Sequence, residues 1–186
     1  MALFGLRKPG SIRHSGTRLS EILEAHERWT RGGASGTRAV LEGADLRRAD
    51  LRECNLRGAD LRNARLEAAD FRGAKLGRAD FSGADCRRVR LVNCDLTEAR
   101  AEGTDFTDAE ITGSEMFRMH LAKAVLKNTN LRGSNLRAVV LTGANLDGAD
   151  LGSASLRETD LTGVSLASAR NVSDAVIRDA IGAPKR

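Results

Sequence analysis

The chain has 186 residues, with 30 Lys and Arg against 25 Asp and Glu, 41% hydrophobic residues and 3% aromatic ones. That length suits one domain, and the apolar stretches are too short and too interrupted to cross a bilayer, so no membrane partner is expected. Three histidines and three cysteines leave little material for metal or nucleophilic chemistry.

Residues 1–16 read as a basic N-terminal tail containing His14. The opening MALFGLRKPG has only a few apolar residues ahead of two cations, which is not a secretory signal. Residues 17–38 read as an N-terminal cap helix and linker. Leu19, Ile22, Leu23, His26 and Trp29 recur at three- and four-residue spacing, which marks one helix face. Thr17 or Ser20 suits the N-cap, and Gly32–Gly33 suits the end.

From Ala39 to Ser168 the chain repeats every five residues without a break, 26 units in 130 residues. A large apolar residue, the centre of each unit, falls on every position ending in 1 or 6 from Leu41 to Leu166. It is Leu in 19 units and Phe in three (Phe71, Phe81, Phe106); the others are Cys86, Ala101, Ile111 and Met116. Five helical steps of about 100° advance about 500°, so the centres would wander around a helix. In a flat strand an odd spacing throws successive centres to opposite faces. Both conflicts vanish if each unit is a short extended piece followed by a corner, so that the chain winds as a solenoid with every centre inside. The second inward position lies two residues before the centre and is Ala in 15 of 26 units. The last position is Gly in ten units and Asn in three, residues that tolerate positive φ. Roughly half the corners are therefore expected as type II turns, and units ending in Arg48, Glu53, Arg78 or Glu98 are expected to turn another way.

The units ADLRR, ADLRE, CNLRG, ADLRN, ANLDG and ADLGS resemble the pentapeptide-repeat family, whose consensus is A(D/N)LXX, over about 70% of the chain. HERW, the glycine pair and GTRAVLEGADL also resemble a recurrent head segment of bacterial members. The resemblance implies an all-β fold, a right-handed quadrilateral β-helix with four units per coil, to which the residues on either side of the repeats add short N- and C-terminal capping helices. The units would make about 6.5 coils in a rod roughly 31 Å long at the usual strand spacing. Cys54 and Cys94 would then lie two coils apart, about 9.6 Å, too far for a disulfide. All three cysteines read as buried thiols of a reducing compartment, with the cytoplasm expected. Leu121 would stack over Ala101, the only alanine centre, with Met119 beside it to fill the gap.

Residues 169–186 read as a C-terminal cap helix and tail. Ser173 suits the N-cap, and Gly182 and Pro184 suit the stop. Val176, Ile177 and Ile181 form an apolar face that would cover the last coil or join two rods as a homodimer through the C-terminal end.

No catalytic residue, cofactor or metal site is expected. The glycines obey the corner rule rather than forming a phosphate loop. The Asp or Asn of each unit is better explained by local hydrogen bonding at corners than by acid–base chemistry. Charge is more informative. Residues 95–115 carry one cation against seven anions, while the flanking repeat segments are basic. The candidate interaction surface is Arg87, Arg88 and Arg90 with the acidic girdle Asp95, Glu98, Glu102, Asp105, Asp108, Glu110 and Glu115. The reading is a non-enzymatic scaffold that meets an unidentified protein partner. Resemblance offers an alternative, because some members mimic B-DNA, bind type II topoisomerases and protect them from quinolones. Such mimicry needs an acidic stripe along the rod, whereas here the acid is a cross-band, so DNA gyrase is not expected as a partner. A weak nucleic-acid binder through basic patches is the third reading. A pI near 9.6 favours it. Against it, Tyr is absent and only Phe117 stands at an outward repeat position.

Overall fold

The computed structural model describes residues 5–173, 177 and 179–182. Parallel bridges join the residue before each centre to its counterpart 20 residues on, from Val40↔Asp60 to Val140↔Asp160, with Asn145 and Ser165 the unbridged pair. Four units therefore close one turn, and the chain is a four-sided β-solenoid. The first face carries Val40, Asp60, Asp80, Arg100, His120, Val140 and Asp160; the second starts at Asp45, the third at Asp50 and the fourth at Asn55. Adjacent coils exchange backbone hydrogen bonds on every face. On the first, Leu41 N–H donates to the Asp60 carbonyl at 2.7 Å and Asp60 N–H donates to the Ala39 carbonyl at 3.0 Å.

Each corner is closed by a turn in which the N–H after the corner donates to the centre's carbonyl, as Ala44 does to Leu41 at 3.1 Å. The third turn residue has positive φ at all 25 corners from Gly43 to Gly163. Arg48 (58°), Glu53 (59°), Arg78 (60°) and Glu98 (57°) are no exception, which corrects the expectation that these units turn differently. The reason is coupling between coils. The N–H of Arg48 donates to the Glu67 carbonyl at 2.9 Å, and its counterparts do likewise. These bonds offset the roughly 1–2 kcal/mol that a non-glycine residue loses in the left-handed region.

Inside, every centre from Leu41 to Leu166 is buried. A fully buried Leu contributes about 1.5–3 kcal/mol relative to exposure. Ala101 and Met119 are both completely buried. Polar residues at the small inward position are satisfied internally. Thr104 and Thr129 donate to the carbonyls of Phe81 and Phe106 at 2.7 and 2.9 Å, and Ser114 and Ser134 to those of Leu91 and Ile111. Cys86 and Cys94 are buried, but Cys54 is only half-buried under the N-terminal helix, correcting the expectation of three buried thiols. Burial pushes the thiols of Cys54 and Cys94 up to about 11 and likewise raises that of the fully buried Cys86.

The N-terminal segment is folded onto the first coil rather than trailing as a tail. Arg7 pairs with the open edge of the third face: its N–H donates to the Arg48 carbonyl at 2.7 Å, and Asp50 N–H donates to its carbonyl at 2.9 Å. A 3₁₀ turn at Pro9–Ser11 leads into a hairpin of β1 (Arg13–His14) and β2 (Thr17–Arg18) and then helix α1 (Leu19–Thr30). Thr17 is spent in β2, so Arg18 is the N-cap, its N–H donating to Glu21 Oε2 at 3.4 Å. Neither Thr17 nor Ser20 takes that place. Leu19 and His26 are fully buried, Ile22 and Leu23 partly, while Trp29 stays 41% exposed. The linker passes so close to α1 that a Cβ at Gly36 would lie 2.1 Å from the Trp29 backbone nitrogen.

At the other end, Ile181 does not serve on an apolar helix face. It bridges Asp160 as an added extended residue, receives the N–H of Leu161 at 2.8 Å, and is 58% exposed. Its offset of 21 places it over an outward position, so its side chain faces outward. Ile177 is helical and packs partly against the core, as does Val172. Val176 lies outside the described residues.

Candidate interaction surface

The outward side chains are organised by the repeat itself. An Asp or Asn before the centre accepts the N–H two residues on, as Asp60 does from Arg62 at 3.2 Å and Asn135 from Arg137 at 3.1 Å, which fixes the approach to each corner. Where that second residue is Arg, its guanidinium folds back onto the same carboxylate. Arg52 Nε and Nη2 each meet Asp50 at 2.7 Å, and Arg47, Arg62, Arg72 and Arg87 grip Asp45, Asp60, Asp70 and Asp85 likewise. The Arg47 fork holds the Asp45 carboxyl at about 2. At Asp70, burial pushes the carboxyl up, but Arg72 and Arg90 bring it below the usual carboxylate range. The abundant aspartates are thus corner and ion-pair groups.

The predicted girdle is distributed over all four sides. Glu102 lies on the first, Asp105 and Asp108 on the second, Glu110 on the third, and Asp95, Glu98 and Glu115 on the fourth. Arg87 and Arg88 stand one coil before Asp105 and Asp108 on the second side, and Arg90 directly precedes Glu110 on the third. Most of these charges are met within the rod. Arg90 Nε reaches Glu110 at 3.1 Å, Arg78 reaches Glu98 at 2.7 Å, Arg57 reaches Asp95 at 3.4 Å and Arg100 reaches Glu102 at 3.7 Å. Arg87 is held by Asp85 at 2.7 Å. Asn128 and Asn135 donate to Asp108 and Glu115 at 3.1 and 2.8 Å, and Thr107 donates to Asp105 at 2.6 Å. Exposed pairs of this kind contribute about 0–1 kcal/mol each, so they order the surface more than they stabilise it. Arg88 alone among the ten makes no ion pair or side-chain hydrogen bond among the described residues. The ten do not converge on one pocket.

Phe117 is half-buried, with the guanidinium groups of Arg118 and Arg137 4.8 and 5.9 Å from its ring centre, so its face is already occupied. His120 is exposed. Among the described residues no group of His, Cys, Asp and Glu is arranged to hold a metal ion, and no helix is long and apolar enough to cross a membrane. The N-terminal end of the rod carries two features that spacing alone does not reveal. His26 Nδ1 accepts the N–H of Ala39 at 3.0 Å, tying α1 to the first coil, while its Nε2 is buried near the Arg57 backbone without a well-formed hydrogen bond. Arg7, Arg47 and Arg48 gather beside Arg88.

A family model described as pentapeptide repeats matches the chain in eight copies, over residues 37–73, 74–113, 120–157 and 144–181. Among solved structures the chain is similar to Rfr23, a pentapeptide repeat protein of the cyanobacterium Cyanothece 51142. The identity is 28%, the match covers 52% of this chain and 61% of that one, and the TM-score is 0.42. It is similar to HetL of the cyanobacterium Nostoc, a pentapeptide repeat protein involved in heterocyst differentiation regulation, at 28% identity, covering 77% and 83% of the two chains with a TM-score of 0.31. QnrB1, a plasmid-mediated fluoroquinolone resistance protein, matches at 22% identity over 78% and 76% with a TM-score of 0.39. All three TM-scores fall below 0.5, so these superpositions add nothing to the repeat itself. The chain spans 61% of the length of Rfr23. No curated protein matches it.

Proposed function

This chain belongs to the pentapeptide-repeat family, and on that footing we propose that it is a non-enzymatic rod that presents its flat sides to another protein. The rod is right-handed, of about 6.5 coils, capped at both ends, and works in the cytoplasm; the family match and the uninterrupted period support this shape. One observation carries the functional reading. No outward column holds more than two carboxylates in succession: Asp60 and Asp80, Asp85 and Asp105, Asp50 and Asp70, and Asp95 and Glu115 are each followed by a cation or a neutral residue. A duplex mimic must align negative charge along one side at the phosphate spacing of DNA. Alternating charge instead sets register on a protein surface of the reverse pattern. Arg87, Arg88 and Arg90 with the girdle from Asp95 to Glu115 form the contact, and the C-terminal end of the rod, through Val176, Ile177 and Ile181, is where a second copy would join.

The test exchanges two charges without disturbing the backbone. Arg88 and Asp108 occupy successive corners of one column at φ 57° and 59°. Glu and Lys already occupy such corners at Glu98 and Lys123. The double variant Arg88→Glu, Asp108→Lys therefore keeps the fold and the net charge. A partner captured from the native host by the wild-type rod should be lost on the variant and weakened by salt. Equal capture by both proteins would place the contact elsewhere.

A further inference from the structure

Between the second and third sides, near the N-terminal end, a hollow of about 430 Å³ is lined by Arg7, Arg47, Arg48, Glu67, Ala68 and Arg88. We propose that this hollow binds a diphosphate-class oxyanion, a ligand distinct from the protein partner argued above. Its floor is a corner. Arg48, Ala68 and Arg88 stand at the same corner of three successive coils, at φ 58°, 55° and 57°. Ala68 has no side chain beyond Cβ, so the corner between the two arginines is open. Arg48 and Arg88 lie two coils apart, about 9.6 Å at the usual strand spacing. That is the spacing of the two backbones, and a diphosphate is short enough to lie over the open Ala68 corner between them.

The charges favour an anion. Four guanidinium groups and one carboxylate line the hollow, with Asp45, which is not in the lining, paired to Arg47 at 2.5 Å and to Arg7 at 3.6 Å. The lining carboxylate, Glu67, is drawn toward Arg87 outside the hollow at 4.0 Å. Arg7 is anchored by its backbone pairing and by donating to the carbonyls of Asp45 and Arg47, both at 3.3 Å, so it is fixed at the rim. Arg47 is oriented by Asp45 and Arg48 by the Gly5 carbonyl at 2.7 Å. Preordered guanidinium groups lose less freedom on meeting an oxyanion, and their planar forks match phosphate oxygens. Arg88 supplies the uncommitted charge.

The corner chemistry provides variants that keep the fold. Glu occurs at equivalent corners (Glu53, Glu98, Glu158), and Ala occurs at Ala138. Ala68→Glu therefore fills the hollow with a carboxylate, and Arg88→Ala removes the uncommitted cation, neither disturbing the coil. Calorimetric titration of the full chain with inorganic pyrophosphate at low salt should show one saturable site. Ala68→Glu should abolish it and Arg88→Ala weaken it about tenfold, the loss of one charge-assisted contact. A parallel titration with ADP tells a free diphosphate from one carried on a nucleoside: similar affinity for both supports recognition of the diphosphate alone, and tighter ADP binding supports a nucleotide ligand. No heat with either probe, or equal binding by wild type and Ala68→Glu, overturns the proposal. Arg88 belongs to both ideas, and Ala68→Glu separates them because it leaves Arg88 and Asp108 in place: lost pyrophosphate binding with partner capture retained supports the hollow independently of the contact.

Discussion

His26 ties the cap to the rod through one lone pair, beside the Arg7 pairing and the buried Leu19. Its Nδ1 must be unprotonated to accept the Ala39 N–H, so the imidazole is neutral with its proton on the buried Nε2. Burial lowers its pKa from the ordinary 6.5, and Arg38 adds to that; the backbone of Arg57 and the carboxylate of Glu27 oppose it without reversing it. The sign follows from the unfolded chain, which takes up a proton near 6.5 while the folded cap resists it. Cap stability is full above about pH 6.5 and falls as the pH drops below it. The Trp29 ring stacks on His26 at 5.3 Å, so its fluorescence reports the contact. Thermal melts followed at Trp29 should shift down between pH 7.5 and 5.5, and His26→Gln should lose most of that pH dependence; equal shifts in both proteins would refute the latch. Asp45 behaves in the opposite part of the scale. Its carboxyl titrates near 2 instead of its ordinary 3.8, so its contribution is present above 3.8 and disappears as the pH falls toward 2. Carboxyl NMR that finds Asp45 titrating near 3.8 would mean the Arg47 fork is broken in solution. In the core, Met119 is the one long side chain at a small inward position. Met119→Ala should cost about 2–5 kcal/mol in chemical denaturation. A loss under about 0.5 kcal/mol would place it at a void that was never filled.

Coils, corners and caps differ in how far the sequence discloses them. The inward residues were legible because the period of five makes no demand that any other element meets, and Leu41 to Leu166 are buried as that argument requires. The corners were half legible. Glycine and asparagine advertise positive φ, but Arg48 or Glu98 adopts it only because a neighbouring coil holds its N–H, a constraint that lies 19 residues away in the chain. The cap was legible as a helix and not as a docked unit. Arg7 pairs with Arg48 and Asp50 across more than 40 residues, and no local pattern encodes that contact. Ile181 was misread for the same reason, since spacing with Ile177 suggested a helix face while an open ladder edge captured it. Truncation after Arg170 tests that edge. It removes the Ile181 carbonyl that receives the Leu161 N–H, so exchange of the Leu161 amide should accelerate. Sedimentation of the same pair of proteins reads whether the end also joins two copies. Unchanged exchange at Leu161 would show that the added strand does not form in solution.

The whole rod is a surface whose acids and bases are largely spent on one another, and its charge pattern runs around the axis instead of along it. The candidate surface was legible as a composition anomaly between residues 95 and 115, but its distribution over four sides follows only from the 20-residue coil. The pairs Arg90–Glu110, Arg78–Glu98 and Arg57–Asp95 follow only from which side chains the coil brings within reach. On the proposed reading, this rod offers a topoisomerase no continuous anionic groove-filler. A gyrase supercoiling assay with a quinolone present measures that claim directly. The account predicts that stoichiometric amounts of this protein leave inhibition unchanged; dose-dependent rescue of supercoiling would contradict it.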